Sequence, residues 1–300
     1  MQINVVITGT IALDTISTPL EKAKSTVGGS GYYASLAASL FCATGIVSAI
    51  GDDFPKKYLG KLQDRGIDIS GVQKSGKTFC WEGIYEGDMS EAKTIETKLN
   101  CFSDFRPDLP AKYRPARYLF LGNLDPKVQL EVLRQMKNRP FVMLDTMNFW
   151  INTKKEQLLD IVSKCDLLFL NDKEAKLLLE TENLIEAGKK ALCLGPRYVV
   201  VKKGEHGALL FSGENHFACM AYPLEICVDP TGAGDSFAGA ILGYLASVGK
   251  TDEVTLRKAM VYGACAASFC AEGMGIEKTD KISRKDVDER YKKFKKFSRF

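Results

Sequence analysis

Length, composition and charge place the chain among globular proteins with a large core. Its 300 residues are 45% hydrophobic and 26% charged, as is usual for folded domains. The net charge of +4 fits a site for an anionic ligand but is too small to indicate nucleic acid. With 2 histidines in the whole chain, the sequence argues against a histidine-based metal centre and against a Ser-His-Asp triad.

Cysteine usage and hydropathy predict a soluble protein of the cytoplasm. The chain has 9 cysteines, an odd number without a CxxC pair, and they lie in apolar stretches as reduced core residues do. Residues 1–7 lack the basic region and cleavage site of a signal peptide, and no apolar run reaches membrane-spanning length. We therefore expect neither a membrane nor a nucleic acid as partner.

Short apolar runs alternate with helical patterns along the chain. The predicted strands are 3–8, 45–49, 118–121, 141–144, 167–170 and 198–201. The predicted helices are 31–41, 55–65, 126–137, 154–163, 172–179 and 184–193. This rhythm predicts an α/β fold with a mostly parallel central sheet flanked by helices, in which ligands bind beyond the carboxyl ends of the strands. Polar side chains at or just after predicted strand ends are Asp14, Asn123, Asp145, Asn171, Lys202 and Asp235.

Residues 78–100 interrupt this rhythm with two alternating segments joined by a polar turn at 86–88. Alternation leaves one face of a hairpin in water, so we predict a small β lid, or flap, that stands off the main sheet. Residues 11–19 are predicted to add a strand to it. The exposed strand edges of such a lid would favour pairing with a second copy, which predicts a homodimer through the lid.

Two glycine-rich motifs suggest alternative functions. Residues 71–78 match GxxxxGK[ST], the loop of P-loop NTPases, but the residues after Lys77 and Thr78 alternate like a strand where that loop needs a helix. Residues 29–34 fit the GxGxxG/A fingerprint of NAD-binding oxidoreductases, but the segment before them does not have the pattern of a buried strand. Structural context therefore disfavours both alternatives.

The most informative segment is 229–235, which reads DPTGAGD. It lies between a predicted strand at 224–229 and a predicted buried helix at 234–248, so its glycines open a helix whose first backbone N–H groups can bind an anion. Asp235 adds a carboxylate beside them. That carboxylate suits removal of a proton from a hydroxyl that attacks a phosphoryl group, although an ordinary helix N-cap has the same pattern.

Seven segments in a fixed order resemble the ribokinase-like (PfkB) carbohydrate and nucleoside kinases. They are 9–14, 27–30, 48–54, 65–68, 171–174, 203–207 and 229–235. The resemblance implies one kinase domain over residues 1–300, with lid segments at about 11–19 and 78–100. It also implies transfer of the γ-phosphoryl group of ATP to a hydroxymethyl group of a sugar or nucleoside, with Mg²⁺.

The resemblance assigns the chemical step to the glycine-rich turn. Asp235 is the implied base, and Gly232, Ala233 and Gly234 would bind the transferring phosphoryl group through their backbone N–H groups. The residues implied to bind the acceptor are Asp14, Gly28, Gly29, Ser30 and Asn123.

Nucleotide and metal positions follow from the same resemblance. The implied ATP-binding residues are Asn171, Lys202, Gly204, Gly207, Ala264, Ala267 and Ser268. Asn171 and Glu174 would organise Mg²⁺ through its waters, and the same pair also has the pattern of a helix capping box. Asp229 and Thr231 match positions that bind a monovalent cation such as K⁺ in many relatives, although an Asp here can equally fix the turn.

The acceptor stays open between sugars and nucleosides. Ala12, Ser30 and Asn123 replace residues that usually contact the sugar in ribokinases, and lost polar contacts argue against plain ribose. The stretches GTIALD, GNLDP and LNDKE are similar to a bacterial adenosine-kinase branch. Aromatic side chains in or near the lid, which could stack on a base or pack among themselves, are Phe79, Trp81, Tyr85 and Phe102.

Overall fold

A nine-stranded sheet forms the centre of the protein in the computed structural model, which describes residues 2–87, 89, 91–213 and 215–298. From one edge to the other its strands are β13 (Asn215–Cys219), β12 (Ala208–Ser212), β11 (Tyr198–Lys202), β10 (Leu167–Asn171), β9 (Phe141–Leu144), β8 (Tyr118–Leu121), β1 (Val5–Thr8), β4 (Thr44–Ile50) and β5 (Asp68–Lys74). All neighbours from β11 to β5 pair in parallel, whereas β12 and β13 are antiparallel. The predicted α/β fold with a mostly parallel sheet is confirmed.

Helices cover both faces of this sheet. They are α1 (Ser30–Ser39), α2 (Lys56–Asp64), α3 (Pro126–Arg134), α4 (Asn148–Thr153), α5 (Lys155–Val162), α6 (Asp172–Leu179), α7 (Leu184–Leu192), α8 (Ala233–Val248), α9 (Glu253–Ala271) and α10 (Arg284–Phe297). Successive strand residues point to opposite faces. Val5 and Phe169 therefore pack with α8 and α9, whereas Val6 and Leu168 pack with α5 and α7. Over the described parts of the chain, none of the helices combines the length and apolarity that crossing a bilayer requires.

A second sheet of four strands stands apart from the first. Its order is β3 (Lys22–Gly28), β2 (Ala12–Ser17), β6 (Phe79–Tyr85) and β7 (Ala92–Lys98), with β2 and β6 parallel and the outer pairs antiparallel. The strands expected at 11–19 and 78–100 are present, and β3 was not predicted. The predicted turn at 86–88 includes Asp88, which lies outside the described residues.

Two side-chain contacts bring the four-stranded sheet to the carboxyl edge of the main sheet. At the end of β6, the Tyr85 hydroxyl accepts a hydrogen bond from Thr231 Oγ1 at 3.2 Å. In the connection between β6 and β7, Glu91 pairs with Lys173 in the first turn of α6. Since Thr231 precedes α8 and Lys173 follows β10, the four-stranded sheet reaches the carboxyl edge of the main sheet at two points.

The prediction of a strand at 224–229 is wrong. Residues between β13 and α8 form no strand, and Ile226 in the middle of the apolar run is 62% exposed. The backbone N–H groups of Val228 and Asp229 both donate to Ala271 O, at the end of α9. Prolines at 223 and 230 flank the run, and a proline cannot donate to a strand ladder. The turn is therefore held by α9 and not by a neighbouring strand.

Neither alternative motif has the surroundings that its function needs. Gly71 to Lys74 belong to β5, and Thr78 leads directly into β6, so no helix follows the P-loop match. Thr78 instead donates from its N–H and its hydroxyl to Asp53 Oδ1, at 2.8 and 2.7 Å, which makes it a connector between the sheets. The segment before Gly29 is β3, a mostly exposed strand of the small sheet and not the buried parallel strand of a dinucleotide fold.

Candidate active site

The carboxyl edge of the main sheet brings polar side chains together over three adjacent strands. Asp145 directly follows β9, Asn171 ends β10 and Lys202 ends β11, and Asn171 pairs in register with Lys202. Parallel strands end at the same edge, so these side chains share one side of the sheet. The first turn of α8, which carries Asp235, faces the same group, because the Lys202 ammonium lies close to Gly234.

Gly232 shapes the turn that begins α8. Its φ of 78° is left-handed, and a Cβ built on it would overlap the ring of Tyr33. The Ala233 N–H already donates to Pro230 O at 3.1 Å, so one of the three predicted phosphoryl donors is engaged within the turn. A Cβ at Gly234 would meet Lys202 Nζ at 3.6 Å and nothing nearer. The space in front of this turn is therefore bounded by an ammonium group.

Asp235 lies half-buried in the first helical turn, among charged neighbours. Burial raises the pKa of its carboxyl to about 7, with the charge of Asp145 adding to the rise and the charge of Lys202 opposing it. A carboxylate with a pKa near neutrality can accept a proton and release it again under physiological conditions. The observed side chain is thus suited to general-base chemistry, and it lies near enough to Lys202 for the two charges to interact.

Lys202 is held by Asp145. Its ammonium donates to both carboxylate oxygens, Oδ1 at 3.0 Å and Oδ2 at 2.9 Å. Burial lowers the pKa of Lys202, but the charges of Asp145 and Glu174 outweigh burial and raise the pKa above its ordinary value. The ammonium therefore stays charged beside the helix that carries Asp235.

Asn171 and Glu174 form the capping box of α6. The Glu174 N–H donates to Asn171 Oδ1 at 2.7 Å, and the Asn171 N–H donates to Glu174 Oε2 at 2.7 Å. Burial raises the pKa of Glu174, which lies near Lys202 and Asp145. Within the described residues there is no cluster of three or more His, Cys, Asp or Glu side chains arranged for a metal. An ion here would have to rely on few protein oxygens and keep most of its water, as Mg²⁺ does.

On the other side of the turn, Asp14 lies buried at the start of the four-stranded sheet. A Cβ at Gly28 would fall on Asp14 Oδ2, so only glycine leaves room for this carboxylate. Burial raises the pKa of Asp14 to about 8, with the charge of Asp229 as the next cause, and Oδ1 has no hydrogen-bond partner. A buried carboxylate oxygen without a partner is costly unless a ligand satisfies it.

The remaining predicted acceptor residues are partly engaged within the chain. Ser30 Oγ accepts from the Thr10 N–H at 3.1 Å, and the Ser30 N–H donates to Thr10 Oγ1 at 3.0 Å. The Asn123 side chain accepts from Trp150 Nε1 at 2.8 Å and donates to Met147 Sδ at 3.1 Å. Gly29 has a left-handed φ of 96° just before α1. Of these three residues, only Gly29 is seen beside Asp14, through a backbone hydrogen bond.

Most of the lid aromatics pack among themselves. Phe79 and Phe102 make an edge contact at 6.0 Å, and Phe102 packs on Phe105 at 5.1 Å. Trp81 Nε1 donates to Thr94 Oγ1 at 3.1 Å across β6 and β7. Tyr85 is the aromatic residue of this set that reaches the glycine-rich turn.

Asp229 fixes the turn before α8. It is fully buried, and its carboxylate accepts from the Thr231 N–H at 2.9 Å and from the Gly275 N–H at 2.9 Å. The turn-fixing interpretation of Asp229 is therefore observed. The geometry does not test the alternative of a bound K⁺, since each oxygen keeps a second lone pair.

The predicted nucleotide residues beyond Lys202 lie in two places. Gly204 begins a single 3₁₀ turn after β11, and at Gly207 a Cβ would overlap Cys219 O. On α9, Ala264 and Ala267 pack with the hydrophobic core, and Ser268 accepts from Arg290 Nη1 at 2.8 Å while it donates to Cys265 O at 2.7 Å. Their role toward adenine stays a prediction.

Three residues shape the site through contacts that the sequence did not predict, although Asp145 was already noted there as a polar residue after a strand end. Tyr33 packs its ring against Gly232, Thr10 holds Ser30, and Asp145 holds Lys202. Asp145 carried a detectable signal, since it directly follows a buried strand. Tyr33 and Thr10 act through long-range packing that local patterns do not reveal.

Comparisons with known proteins define the class. The family model described as "pfkB family carbohydrate kinase" matches residues 4–276 of this chain. The chain therefore belongs to the PfkB family of carbohydrate kinases, and it is a phosphotransferase of the sugar and nucleoside kinase kind, with an alcohol group as acceptor.

Individual relatives of this chain include nucleoside kinases. The chain is 32% identical to the cytidine kinase of Thermococcus kodakarensis over 252 residues, which cover 81% of this chain and 88% of that protein. It is 27% identical to a nucleoside kinase of Methanothermobacter thermautotrophicus over 285 residues, covering 87% and 83%. A solved E. coli chain of the ribokinase II type, in complex with ATP and Mg²⁺, matches with a TM-score of 0.80 at 18% identity, covering 97% and 99%. At that identity the match shows the fold alone.

Proposed function

We propose that this protein is a nucleoside kinase that transfers the γ-phosphoryl group of ATP to the hydroxymethyl group of a nucleoside. The observation that carries the proposal is the position of Asp235 in the first turn of α8, next to Gly234, whose Cβ position lies 3.6 Å from the Lys202 ammonium. The cytidine kinase and nucleoside kinase relatives favour a nucleoside over a free sugar. Because each alignment covers most of this chain and most of the relative, the relatives support a nucleoside acceptor for this protein as well.

The proposed step uses Asp235 as general base. Its carboxylate takes the proton of the acceptor hydroxyl as that oxygen forms a bond to the γ-phosphorus, and ADP leaves as the bond to the bridging oxygen breaks. The backbone of Gly234, whose Cβ position meets only Lys202, leaves room for the phosphoryl group at the helix N-terminus. Asp14 would accept two hydrogen bonds from a vicinal diol, which would satisfy its unpartnered oxygen.

The residues present fit ATP and Mg²⁺. Carboxylates on one edge of the sheet, together with one ammonium, supply the oxygen donors and the positive charge that a magnesium nucleotide needs. Asn171, Glu174 and Lys202 would hold the metal waters and phosphates, and Gly204 and Gly207 would line the nucleotide. When bound, ATP supplies the phosphoryl group and Mg²⁺ neutralises part of its charge. The E. coli chain of the same fold is a complex with ATP and Mg²⁺, which supports these two cofactors.

Three further elements belong to the proposal. Residues 1–300 would act as one domain whose four-stranded sheet closes over the acceptor as a lid. The exposed outer strand β7, with Ile95 50% exposed, would pair with a second copy. K⁺ would bind near Asp229 and Thr231, and rates in KCl and NaCl of equal ionic strength would test this.

A coupled assay of ADP release, with mass spectrometry of the product, tests the proposed function. Purified protein with ATP and Mg²⁺ is offered a panel of pyrimidine and purine nucleosides and of free pentoses and hexoses. We expect kcat/KM for at least one nucleoside to exceed that for every free sugar about tenfold or more, a difference of about 1.4 kcal/mol in transition-state binding. A higher kcat/KM for a free sugar would refute the nucleoside as acceptor. Failure to phosphorylate any alcohol in the panel would refute the proposed kinase activity.

The pKa of Asp235 predicts an acidic limb in the pH profile. The base must be deprotonated, so kcat/KM for the nucleoside should fall below about pH 7 as Asp235 becomes protonated. Steady-state rates between pH 5 and 9 measure this limb.

The matched control for this limb is Asp14→Asn, because the pKa of Asp14 is also raised, to about 8. If Asp235 produces the limb, the variant keeps it at a lower overall rate. If the limb disappears in Asp14→Asn, the limb reports the titration of Asp14 and not of Asp235, which would contradict the prediction.

A further inference from the structure

The Asp145–Lys202 pair lies where the proposed phosphoryl transfer takes place, yet an isolated ion pair would add little to the fold. The side chains of Lys202 and Asp145 are 19% and 6% exposed. A buried pair loses about as much in desolvation as it gains from attraction, and well-packed apolar residues are often as stable. Such a pair is better explained if one partner also serves a ligand.

Asp145 is itself firmly oriented. Its Oδ1 accepts from the Thr146 N–H at 3.1 Å, in addition to the bond from Lys202. Its backbone carbonyl accepts from Gln129 Nε2 at 3.1 Å, and the same amide donates to Gly122 O at 2.8 Å. Gln129 therefore ties the backbone of Asp145 to the end of β8, and the carboxylate presents both oxygens to one ammonium.

The ammonium is directed at the first turn of α8. Lys202 Nζ lies 3.6 Å from the Cβ position of Gly234 and 5.9 Å from the ring of Phe169. Around it are the carboxylates of Asp145, Glu174 and Asp235, whose charges all act on Lys202. Of these four groups the ammonium is the one that carries positive charge, and a phosphoryl group in transfer needs a fixed cation beside it.

We propose that Asp145 is a positioning residue that holds the Lys202 ammonium over the start of α8, where the ammonium neutralises charge on the phosphoryl group during transfer. This inference rests on the proposed function. Lysine suits the task because its ammonium is a compact point charge on a flexible stem, so an anchor is needed to fix it. The anchor acts only through Lys202 and makes no contact of its own with the reacting atoms.

Three variants test the inference: Asp145→Asn, Lys202→Met and the double variant. Removal of one preorganised charge at the reacting group typically costs about 10²–10³-fold in kcat, which we expect for Lys202→Met. Asp145→Asn leaves the ammonium present but loosely held, so its loss should be about tenfold. The double variant should match Lys202→Met within about a factor of two, since Asp145 has no further effect once the lysine is gone.

Equilibrium binding provides a readout that does not depend on turnover. Calorimetry with a non-hydrolysable ATP analogue and Mg²⁺ should show weaker binding to Lys202→Met, by about tenfold. Asp145→Asn should bind the analogue as tightly as the unaltered protein or more tightly, because it loses a negative charge near the phosphates. A purely structural role would instead weaken binding in both variants.

The pH profile distinguishes electrostatic positioning from a packing defect. The acidic limb of kcat/KM should move to higher pH in Lys202→Met and to lower pH in Asp145→Asn, because their charges act on Asp235 in opposite directions. Asp14, Tyr33 and Cys270 also feel the charge of Asp235 and stay unchanged in all three variants. Shifts in the same direction would overturn the inference.

The failures of the inference and of the proposed function are distinguishable. If the unaltered protein phosphorylates no alcohol, both fall. If it does, but the double variant loses about tenfold more than Lys202→Met, Asp145 acts on its own and the inference is overturned; a raised Mg²⁺ requirement would then mark Asp145 as a metal ligand. If Asp145→Asn does not fold by circular dichroism, the comparison of Lys202→Met with the double variant still decides.

Discussion

Asp235→Asn is expected to lower kcat about 10³-fold or more, because general-base catalysis by a positioned side chain typically contributes about 10²–10⁴-fold. Asn has nearly the same shape but cannot accept the proton, so the fold and the binding of ATP should survive. The carboxylate lies in the first turn of α8, where its charge interacts with that of Lys202. Among the described residues, no other carboxylate occupies this turn. Single-turnover and steady-state rates with the best nucleoside from the panel measure the loss.

The same substitution should make the protein more stable at alkaline pH. Burial raises the pKa of Asp235 in the folded protein to about 7, from an ordinary value of 3.8. Its contribution to stability is therefore full below about pH 4 and is lost as the pH rises through about 7. Without the carboxylate, the free energy of unfolding at pH 8 should rise by about 1–3 kcal/mol, since each pKa unit corresponds to about 1.4 kcal/mol and the partial exposure of Asp235 reduces the total. Thermal melts at pH 5 and pH 8 should show a larger gain at the higher pH.

Lys77→Ala is the control for this substitution. Lys77 belongs to the P-loop match, but it leads into β6 and not into a helix. ATP turnover should be unchanged in this variant. Full activity in Asp235→Asn, or its loss in Lys77→Ala, would remove the basis for placing the chemistry at α8.

The fold was predictable at the buried parallel strands of the main sheet. β8 and β9 were predicted with their observed bounds, because a fully buried parallel strand is a continuous apolar run between polar ends. The strands that prediction missed include β3 and β5, whose residues are partly exposed and mixed in polarity. Such strands depend on partners distant in sequence, which a local pattern cannot identify.

The site was predictable at the ends of those buried strands and less so elsewhere. Asn171 and Lys202 were found because a buried strand delivers its last residue to the ligand-binding edge. The helix after the glycine-rich turn was also predicted correctly, but the strand predicted before it does not form, because Ala271 and not a neighbouring strand accepts the N–H groups of Val228 and Asp229. The tight approach of Tyr33 to Gly232 requires three-dimensional packing.

Gly232→Ala is expected to lower kcat about 100-fold, because a displacement of about 1 Å in a reacting group can cost that much. A methyl group there would overlap the ring of Tyr33, and φ is 78°, a conformation that costs alanine about 1–2 kcal/mol. Tyr33 is buried in α1 and has little room to move. The turn must therefore shift and carry Asp235 with it. Steady-state kinetics together with urea unfolding measure both effects.

Gly249→Ala at the other end of α8 is the matched control. Gly249 has a similar left-handed φ of 73°, but no atom lies within 4 Å of its Cβ position. Both variants share the backbone strain, so any difference in unfolding free energy measures the overlap with Tyr33, about 1–3 kcal/mol for an overpacked site. Gly249→Ala should keep full kcat, since its strain lies at the far end of the helix. Equal losses of kcat in the two variants would mean that helix stability, and not the position of the turn, controls the reaction.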